Sequence, residues 1–247
     1  MRRLREAEAI EDLLAPYESV DRAAPAGRPW VLANMVAGLD GSAAFGGRVG
    51  PLSQGADMEL FRVLRAVADI VLVGAATFRT EGYGPVRLPE DRQATRRSDG
   101  RSALPTLAVV TRSLDLDWSS PAFAASSCLV VTSGGADSAR VEAASAHADI
   151  VQTGDAAVDL GAALGAFAAA GHRVVLCEGG PTLLGELVEL DLLDELCLTL
   201  GPVMGGDPLP VALTRKGGDI RQFVLRHVAT DGQSLFLRYE RERSDGP

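Results

Sequence analysis

The stretch Arg173-Val-Val-Leu-Cys-Glu-Gly-Gly-Pro-Thr-Leu-Leu184 decides the fold, because two glycines join an apolar run to the start of a helix. Val174–Cys177 is short and unbroken, which is typical of a strand buried on both faces. Gly179 and Gly180 have no Cβ to keep a ligand off the backbone, and Pro181 suits the first position of a helix. A helix start attracts anions. The stretch is therefore compatible with a pyrophosphate cradle or with a plain strand-to-helix turn.

The overall composition excludes some classes of protein. The 247 residues carry a net charge of −9, whereas general nucleic-acid binders need a basic surface to neutralise phosphates. The sequence lacks an apolar run long enough to cross a membrane and an apolar signal region. We therefore expect a cytoplasmic protein that binds neither nucleic acid nor membrane.

The cysteines and histidines do not predict a metal site. Cys128, Cys177 and Cys197 each stand in an apolar, strand-like run, as buried small hydrophobic residues do. The three histidines share no ligand spacing with one another or with these cysteines. We predict no bound metal and no disulfide framework.

Apolar runs and helical patterns alternate along most of the chain. The predicted strands, with their residue numbers, are 30–37, 70–73, 107–110, 129–131, 150–151, 174–177 and 195–200. Helices are predicted at 4–15, from a Ser53 N-cap onward, at 138–148, at 158–170 and from Pro181. Residues 223–229 and 234–239 alternate around a Thr-Asp-Gly-Gln turn, as in an antiparallel hairpin. The pattern predicts repeated β–α units that build a largely parallel sheet.

Residues 85–105 interrupt this alternation with a polar, arginine-rich segment. We expect a solvated, mobile loop there. Arg87, which follows Gly82-Tyr83-Gly84-Pro85, is the one arginine of the segment that we consider for binding a phosphate.

Ligands bind parallel sheets beyond the carboxyl ends of the strands. Seven residues fall at such ends and could share one crevice: Gly74, Thr77, Thr111, Arg112, Glu178, Gly179 and Gly180. Arg112 could hold the 2′-phosphate that distinguishes NADP from NAD. The glycine fingerprint of dinucleotide-binding domains and the P-loop lysine motif are both missing from the sequence.

An ordered set of motifs resembles the reductase domain of riboflavin biosynthesis over about residues 29–240. The set comprises Leu39-Asp40-Gly41, Leu64-Arg65-Ala66, Val73-Gly74-Ala75-x-Thr77, Glu178-Gly179-Gly180-Pro181-Thr182-Leu183, Asp194-Glu195-Leu196 and Pro202-x-x-Gly205-Gly206. The resemblance implies a dihydrofolate-reductase-like, three-layer α/β fold. Its central sheet would be mostly parallel and end in a C-terminal antiparallel hairpin. We expect residues 1–28 to form an N-terminal helix and linker, and residues 29–242 a single reductase domain.

The resemblance also implies a function and a site. The family is generally dimeric and uses NADPH to reduce the ribosyl group of 5-amino-6-(5-phosphoribosylamino)uracil to ribityl. Asp40 and Glu178 would face the substrate as catalytic residues, with Asn34, Ser53, Glu81 and Arg87 on the substrate side. The cofactor would contact Gly74, Ala76, Thr77, Thr111, Arg112, Ser113, Gly179, Gly180, Pro181, Thr182 and Leu183.

This chain departs from the family pattern on the substrate side. Asn34 stands where a lysine is common, Gly38 where a serine is usual, and Glu81-Gly82-Tyr83 where Asp-Asp-Pro is common. Two alternatives therefore stay open. The substrate could be another pterin or pyrimidine such as dihydrofolate, or the chain could bind NADP without turning it over.

Overall fold

A computed structural model describes residues 10–50, 52–53, 55–125 and 127–242. The chain divides into two compact units. Of the described residues, the first unit contains those up to Asp21, Val31–Leu64 and those from Pro181 onward; the second contains those of Arg22–Trp30 and Arg65–Gly180. The predicted division at residue 28, with one reductase domain beyond it, stays a prediction.

The second unit is built on five parallel strands, in the order β5-β4-β3-β2-β6. These strands are β2 (Ile70–Gly74), β3 (Thr106–Val110), β4 (Cys128–Thr132), β5 (Asp149–Gln152) and β6 (Val174–Cys177). The unit's helices are α3 (Ala75–Glu81), α4 (Glu90–Ser98), α5 (Pro121–Ala125), α6 (Ser138–Ser145) and α7 (Leu160–Ala169). Ile70 to Val73 and Val175 to Cys177 are at most 2% exposed, as the unbroken apolar runs predict.

The first unit combines parallel and antiparallel pairing. Its strands are β1 (Trp30–Ala37), β7 (Glu195–Leu200), β8 (Phe223–Thr230) and β9 (Leu235–Arg241). Strand β1 pairs with β7 in parallel, whereas β7 with β9 and β8 with β9 are antiparallel. Its helices are α1 (Ile10–Glu18), α8 (Pro181–Glu189) and α2 (Ala56–Val67), whose last turn from Arg65 belongs to the second unit.

These elements confirm the predicted fold class, an α/β protein with a mostly parallel sheet and a C-terminal antiparallel hairpin. Pro181 is the first residue of α8, and Gly171 ends α7 with a φ of 90°, the conformation that glycine adopts most readily after a helix.

The expectation of a mobile loop in the arginine-rich segment was wrong, because residues 90–98 form helix α4. Glu90 and Asp91 lie in its first turn and Arg96 and Arg97 in its last, which complements the helix dipole. Arg96 is 2% exposed. Its guanidinium donates to the carbonyls of Ala66, Ala68 and Ser102. The buried guanidinium of Arg96 binds carbonyl groups at the end of α2, and these hydrogen bonds hold the polar segment in place.

Two further predictions about helices were wrong, and two helices were not predicted. Helix α2 begins at Ala56, so Ser53 does not cap it, and the Ser53 hydroxyl instead donates to the Asp57 carboxylate. Helix α1 continues through Pro16 to Glu18, beyond the predicted end at residue 15; residues 4–9 of that prediction lie outside the described ranges. The sequence patterns also missed α3 and α5.

Candidate functional site

The carboxyl ends of β2 and β6 meet in the second unit. The Glu178 N–H donates to the Leu72 carbonyl at 2.9 Å, and the Gly74 N–H donates to the Gly179 carbonyl at 2.8 Å. Gly179 has a φ of 84°, and the Gly179–Gly180 peptide is cis. A residue with a side chain would be strained at this φ, so glycine is favoured at position 179.

Thr77 explains why Gly180 carries no side chain. A Cβ at Gly180 would collide with the Thr77 hydroxyl. Thr77 lies in α3, which begins at Ala75 directly after β2. The strand end, the helix start and the glycine pair therefore pack against one another with no room for a methyl group.

The carboxylate of Glu178 is held by two side chains that the sequence analysis did not assign to the site. Arg65 binds it in a bidentate arrangement, with Nε to Oε1 and Nη2 to Oε2 both at 2.7 Å. The Tyr83 hydroxyl donates to Oε2 at 2.8 Å. The Glu178 side chain is 2% exposed and that of Arg65 is 15% exposed. The three side chains form one buried, charge-assisted network.

The electrostatics of this network follow from burial and pairing. Burial, and then the charge of Glu178, raise the pKa of Tyr83 well above its ordinary value, so its hydroxyl keeps its proton. Burial alone would lower the pKa of Arg65, but the Glu178 carboxylate raises it overall. Both donors to Glu178 therefore persist across the neutral pH range.

A second cluster of candidate residues follows β3. Thr111 Oγ1 accepts a hydrogen bond from the Leu114 N–H at 3.1 Å, and the Ser113 carbonyl accepts one from Arg140 Nη1 at 2.8 Å. Thr111 is buried, while Arg112 and Ser113 are exposed. Arg140 lies on α6, so a second arginine that the sequence analysis did not select flanks the turn after β3.

In the first unit, Asp40 joins two loops. Its Oδ1 accepts a hydrogen bond from the Ser42 N–H at 3.1 Å, and its Oδ2 accepts one from the Gly205 N–H at 2.8 Å. These bonds, that from Gly205 first, lower the pKa of Asp40. Asp40 is exposed, so its carboxylate is fixed by the backbone and yet accessible.

The same two loops account for Gly38, one of the departures from the family pattern. A Cβ at Gly38 would lie 2.9 Å from the Val203 carbonyl oxygen and 3.0 Å from Asp40 Oδ1. The Leu39 N–H donates to that Val203 carbonyl at 2.7 Å. Glycine at position 38 therefore allows the loops to approach each other.

Asp57 and the Oδ1 atom of Asn34 are buried polar groups of the first unit. Asn34 Oδ1 has no hydrogen-bond partner among the residues that the structure describes. Asp57 is 3% exposed, and burial raises its pKa, although the hydrogen bond that the Ser53 hydroxyl donates to its carboxylate lowers it in part. The Ser53 hydroxyl thus donates to Asp57, whereas Asn34 Oδ1 can accept a further hydrogen bond.

The structure places the predicted site residues in both units. The second unit holds Gly74, Ala76, Thr77, Glu81, Arg87, Thr111, Arg112, Ser113, Glu178, Gly179 and Gly180; the first holds Asn34, Asp40, Ser53, Pro181, Thr182 and Leu183. Within the second unit, Gly74 contacts Gly179 and Thr77 contacts Gly180. Ala76 and Arg87 are exposed, and Glu81 ends α3.

Arg65 and Tyr83 are the residues that the sequence analysis missed. A usable signal existed for Arg65, since a glutamate that follows a buried strand is rarely buried without a cationic partner. Tyr83 gave no such signal, because a tyrosine in a Gly-Tyr-Gly turn indicates an exposed loop residue.

The described residues contain neither a metal-binding cluster nor a membrane-spanning helix. Within the described ranges, no three His, Cys, Asp or Glu side chains are grouped so that they could hold a metal ion. No helix in the same ranges reaches the length and apolar character that crossing a membrane requires.

Comparisons with known proteins agree on one family. The model of the family described as RibD C-terminal domain matches residues 29–237. A curated relative from Archaeoglobus fulgidus, 2,5-diamino-6-ribosylamino-4(3H)-pyrimidinone 5′-phosphate reductase, is 27% identical over 186 residues. That match covers 74% of this chain and 85% of the relative.

Solved structures agree with this family. A pyrimidine reductase-like protein from Corynebacterium diphtheriae has a TM-score of 0.80 at 28% identity, covering 87% of this chain and 93% of that one. The riboflavin biosynthesis reductase Rib7 of Saccharomyces cerevisiae has a TM-score of 0.61 at 14% identity, covering 94% of this chain and 97% of the yeast chain. The yeast comparison shows the shared fold.

Proposed function

Because this chain belongs to the RibD C-terminal domain family, we propose that it is an NADPH-dependent reductase of an aminopyrimidine ribose phosphate. The reaction converts the ribosyl group of 5-amino-6-(5-phosphoribosylamino)uracil, or of its 2-amino precursor, to ribityl. The observation that carries the proposal is the match to the archaeal phosphate reductase along 85% of its length. The homodimer and the cytoplasmic location that the resemblance implies stay predictions.

The backbone around the glycine pair fits a bound pyrophosphate. Gly180 has no room for a Cβ, and Pro181 opens α8, a helix of nine residues whose first N–H groups have no partner within the helix. We assign the pyrophosphate to Gly179, Gly180 and the helix start Pro181-Thr182-Leu183. Gly74, Ala76 and Thr77 would line the nicotinamide and phosphate side.

Specificity for NADPH over NADH is assigned to the turn after β3. Thr111, Arg112 and Ser113 form this turn, and an exposed arginine beside two hydroxyl side chains suits a 2′-phosphate. The Arg140 contact to the Ser113 carbonyl adds a second positive charge at the same turn.

The residues on the substrate side would bind the sugar and orient it. NADPH, when bound, supplies the hydride that reduces C1′ of the opened sugar. The Glu178 carboxylate accepts hydrogen bonds from Arg65 and Tyr83, so we assign it to orienting the sugar. Asp40 is an exposed acceptor fixed by the backbone, and Asn34 Oδ1 offers an unpaired one. Ser53, Glu81 and Arg87 stay substrate-side candidates.

The decisive experiment follows NADPH oxidation by absorbance with three acceptors: the deaminated ribosylaminopyrimidine phosphate, its 2-amino precursor and dihydrofolate. We expect turnover with at least one of the two ribose phosphates. Turnover with dihydrofolate alone would replace the proposed substrate. NADPH binding with no acceptor reduced would favour the non-catalytic alternative.

Two variants tie the activity to the site. We expect Glu178→Gln to lower kcat/KM for the ribose phosphate while the NADPH dissociation constant, measured by fluorescence, stays close to that of the wild type. Glu142→Gln changes an exposed glutamate on α6 in the same way and serves as the matched control. Equal kcat/KM values in both variants would remove Glu178 from the reaction.

A further inference from the structure

The hydrogen bonds of Glu178 can be counted atom by atom. A carboxylate has about four lone-pair sites, two on each oxygen. Oε2 accepts from Arg65 Nη2 and from the Tyr83 hydroxyl, whereas Oε1 accepts from Arg65 Nε. Both sites of Oε2 are thus filled by described residues, and Oε1 keeps one site for a further donor.

Tyr83 is itself held rigidly. Its N–H donates to the Phe78 carbonyl at 3.0 Å, and its carbonyl accepts from the Ser120 hydroxyl at 3.3 Å. Its ring stacks on Phe78 with centroids 5.9 Å apart. The Arg65 guanidinium carbon lies 5.9 Å from the Tyr83 ring centroid. A side chain held by its stacking on Phe78 and by the Arg65 guanidinium can orient the group to which it donates.

We propose that Tyr83 is a positioning residue: together with Arg65 it orients the Glu178 carboxylate so that the remaining site on Oε1 accepts a hydrogen bond from a sugar hydroxyl. The inference rests on the proposed function, because it names the part of the substrate that Glu178 holds. A phosphate dianion cannot occupy this site, since it has no proton to donate and would be repelled by the carboxylate. The ligand is a neutral O–H or N–H donor.

The positioning role differs from a merely structural one in what it changes. The Arg65 pair keeps Glu178 in place without Tyr83, but a bidentate pair lets the carboxylate rotate together with the guanidinium plane. The Tyr83 hydroxyl removes that freedom. Losing it should weaken the sugar contact equally in the bound substrate and in the transition state, which raises KM and leaves kcat unchanged. A purely structural loss would instead reduce the amount of active enzyme and therefore kcat.

The test compares Tyr83→Phe with wild type, using whichever ribose phosphate is turned over. Phenylalanine retains the stacking on Phe78 and removes only the hydroxyl. We expect KM for the ribose phosphate to rise about tenfold, equivalent to about 1.4 kcal/mol. We expect kcat to stay within about twofold and the NADPH dissociation constant to stay unchanged, while the loss of a hydrogen bond to the buried Glu178 carboxylate lowers the thermal midpoint of unfolding.

Tyr239→Phe is the matched control, because it makes the same change on β9 in the first unit. It should leave KM and kcat as in wild type. An unchanged KM in Tyr83→Phe would overturn the positioning role, and so would a fall in kcat at constant KM.

A second measurement separates this inference from the proposed function. If wild type reduces neither ribose phosphate, the proposed function fails, and crystal structures of the free wild-type and Tyr83→Phe proteins then decide the positioning role. A Glu178 carboxylate that rotates or occupies two orientations in the variant supports it. A carboxylate with the wild-type orientation overturns it.

Discussion

The carboxylate of Asp40 accepts a 2.8 Å hydrogen bond from the backbone N–H of Gly205, a residue 165 positions later in the chain. Together with the Ser42 N–H, this bond favours the charged carboxylate and lowers the pKa of Asp40. The loop after β1 and the loop after β7 are thereby joined by a single side chain.

Acid should weaken this connection. A carboxyl group with a lowered folded-state pKa stabilises the protein above its unfolded-state pKa of about 3.9, and the contribution is lost as the pH falls through the folded-state value. We expect wild type to have a higher thermal midpoint than Asp40→Asn at about pH 6, and the difference to shrink toward about pH 3. A difference that is constant with pH would contradict this account.

Asp57 should show the opposite dependence on pH. Burial raises its pKa in the folded protein, so its contribution is complete below the unfolded-state pKa of about 3.9 and is lost as the pH rises through the folded-state value. Asp57→Asn cannot ionise. We therefore expect its thermal midpoint to gain on wild type between about pH 4 and about pH 7. Parallel curves for the two proteins would show that Asp57 does not titrate differently on folding.

Gly180→Ala tests the close approach at the glycine pair. The added Cβ would collide with Thr77, so we expect a loss of stability of about 1–3 kcal/mol and a weaker affinity for NADPH by fluorescence titration. Gly84→Ala is the control, because a Cβ there would meet nothing within 4 Å. Wild-type NADPH affinity in Gly180→Ala would argue against a cofactor at this position.

Arg112→Ala tests the assignment of the 2′-phosphate. Hydrogen bonds to charged groups contribute about 1.5–3 kcal/mol, so we expect the preference for NADPH over NADH to fall at least about tenfold. The readout is the ratio of the two dissociation constants. Arg97→Ala removes an exposed arginine from α4 and should leave that ratio unchanged. Equal ratios in both variants would move the 2′-phosphate away from this turn.

Arg96→Met should destabilise the protein strongly. Burial lowers the pKa of Arg96 to about 10, yet the side chain donates to three carbonyl groups, and its replacement would remove these three hydrogen bonds. We expect a cost of about 3 kcal/mol in denaturant unfolding. Arg97→Met, the same change one residue away on the exposed face, should stay within about 0.5 kcal/mol. Similar values for the two variants would show that Arg96 contributes no more than a surface residue.

Helix α4 is an element that the sequence pattern did not predict. Residues 90–98 read Glu-Asp-Arg-Gln-Ala-Thr-Arg-Arg-Ser, with no apolar stripe to indicate a helix face. The helix is held through Arg96, whose acceptors lie about 30 residues earlier in the chain. A buried arginine looks like an exposed one in sequence, because only the packed fold brings carbonyl groups to it.

The sequence by itself determined the features that neighbouring residues control. Val174–Cys177 is a strand because it is short, apolar and bounded by a charge and glycines, and Pro181 begins α8 because it needs no N–H there. The hairpin of β8 and β9 follows from alternation around a turn. The order of the motifs also identified the family.

Only the tertiary structure decided the partners of the functional groups. Glu178 is paired with Arg65, 113 residues earlier, and with Tyr83, 95 residues earlier. Gly38 is required because Val203 lies against it. Local conformation follows from the residues within a few positions, whereas a buried charge takes whichever donors the packing of strands and helices brings to it. The sequence therefore predicted that Glu178 ends a strand, and the fold determined what holds it.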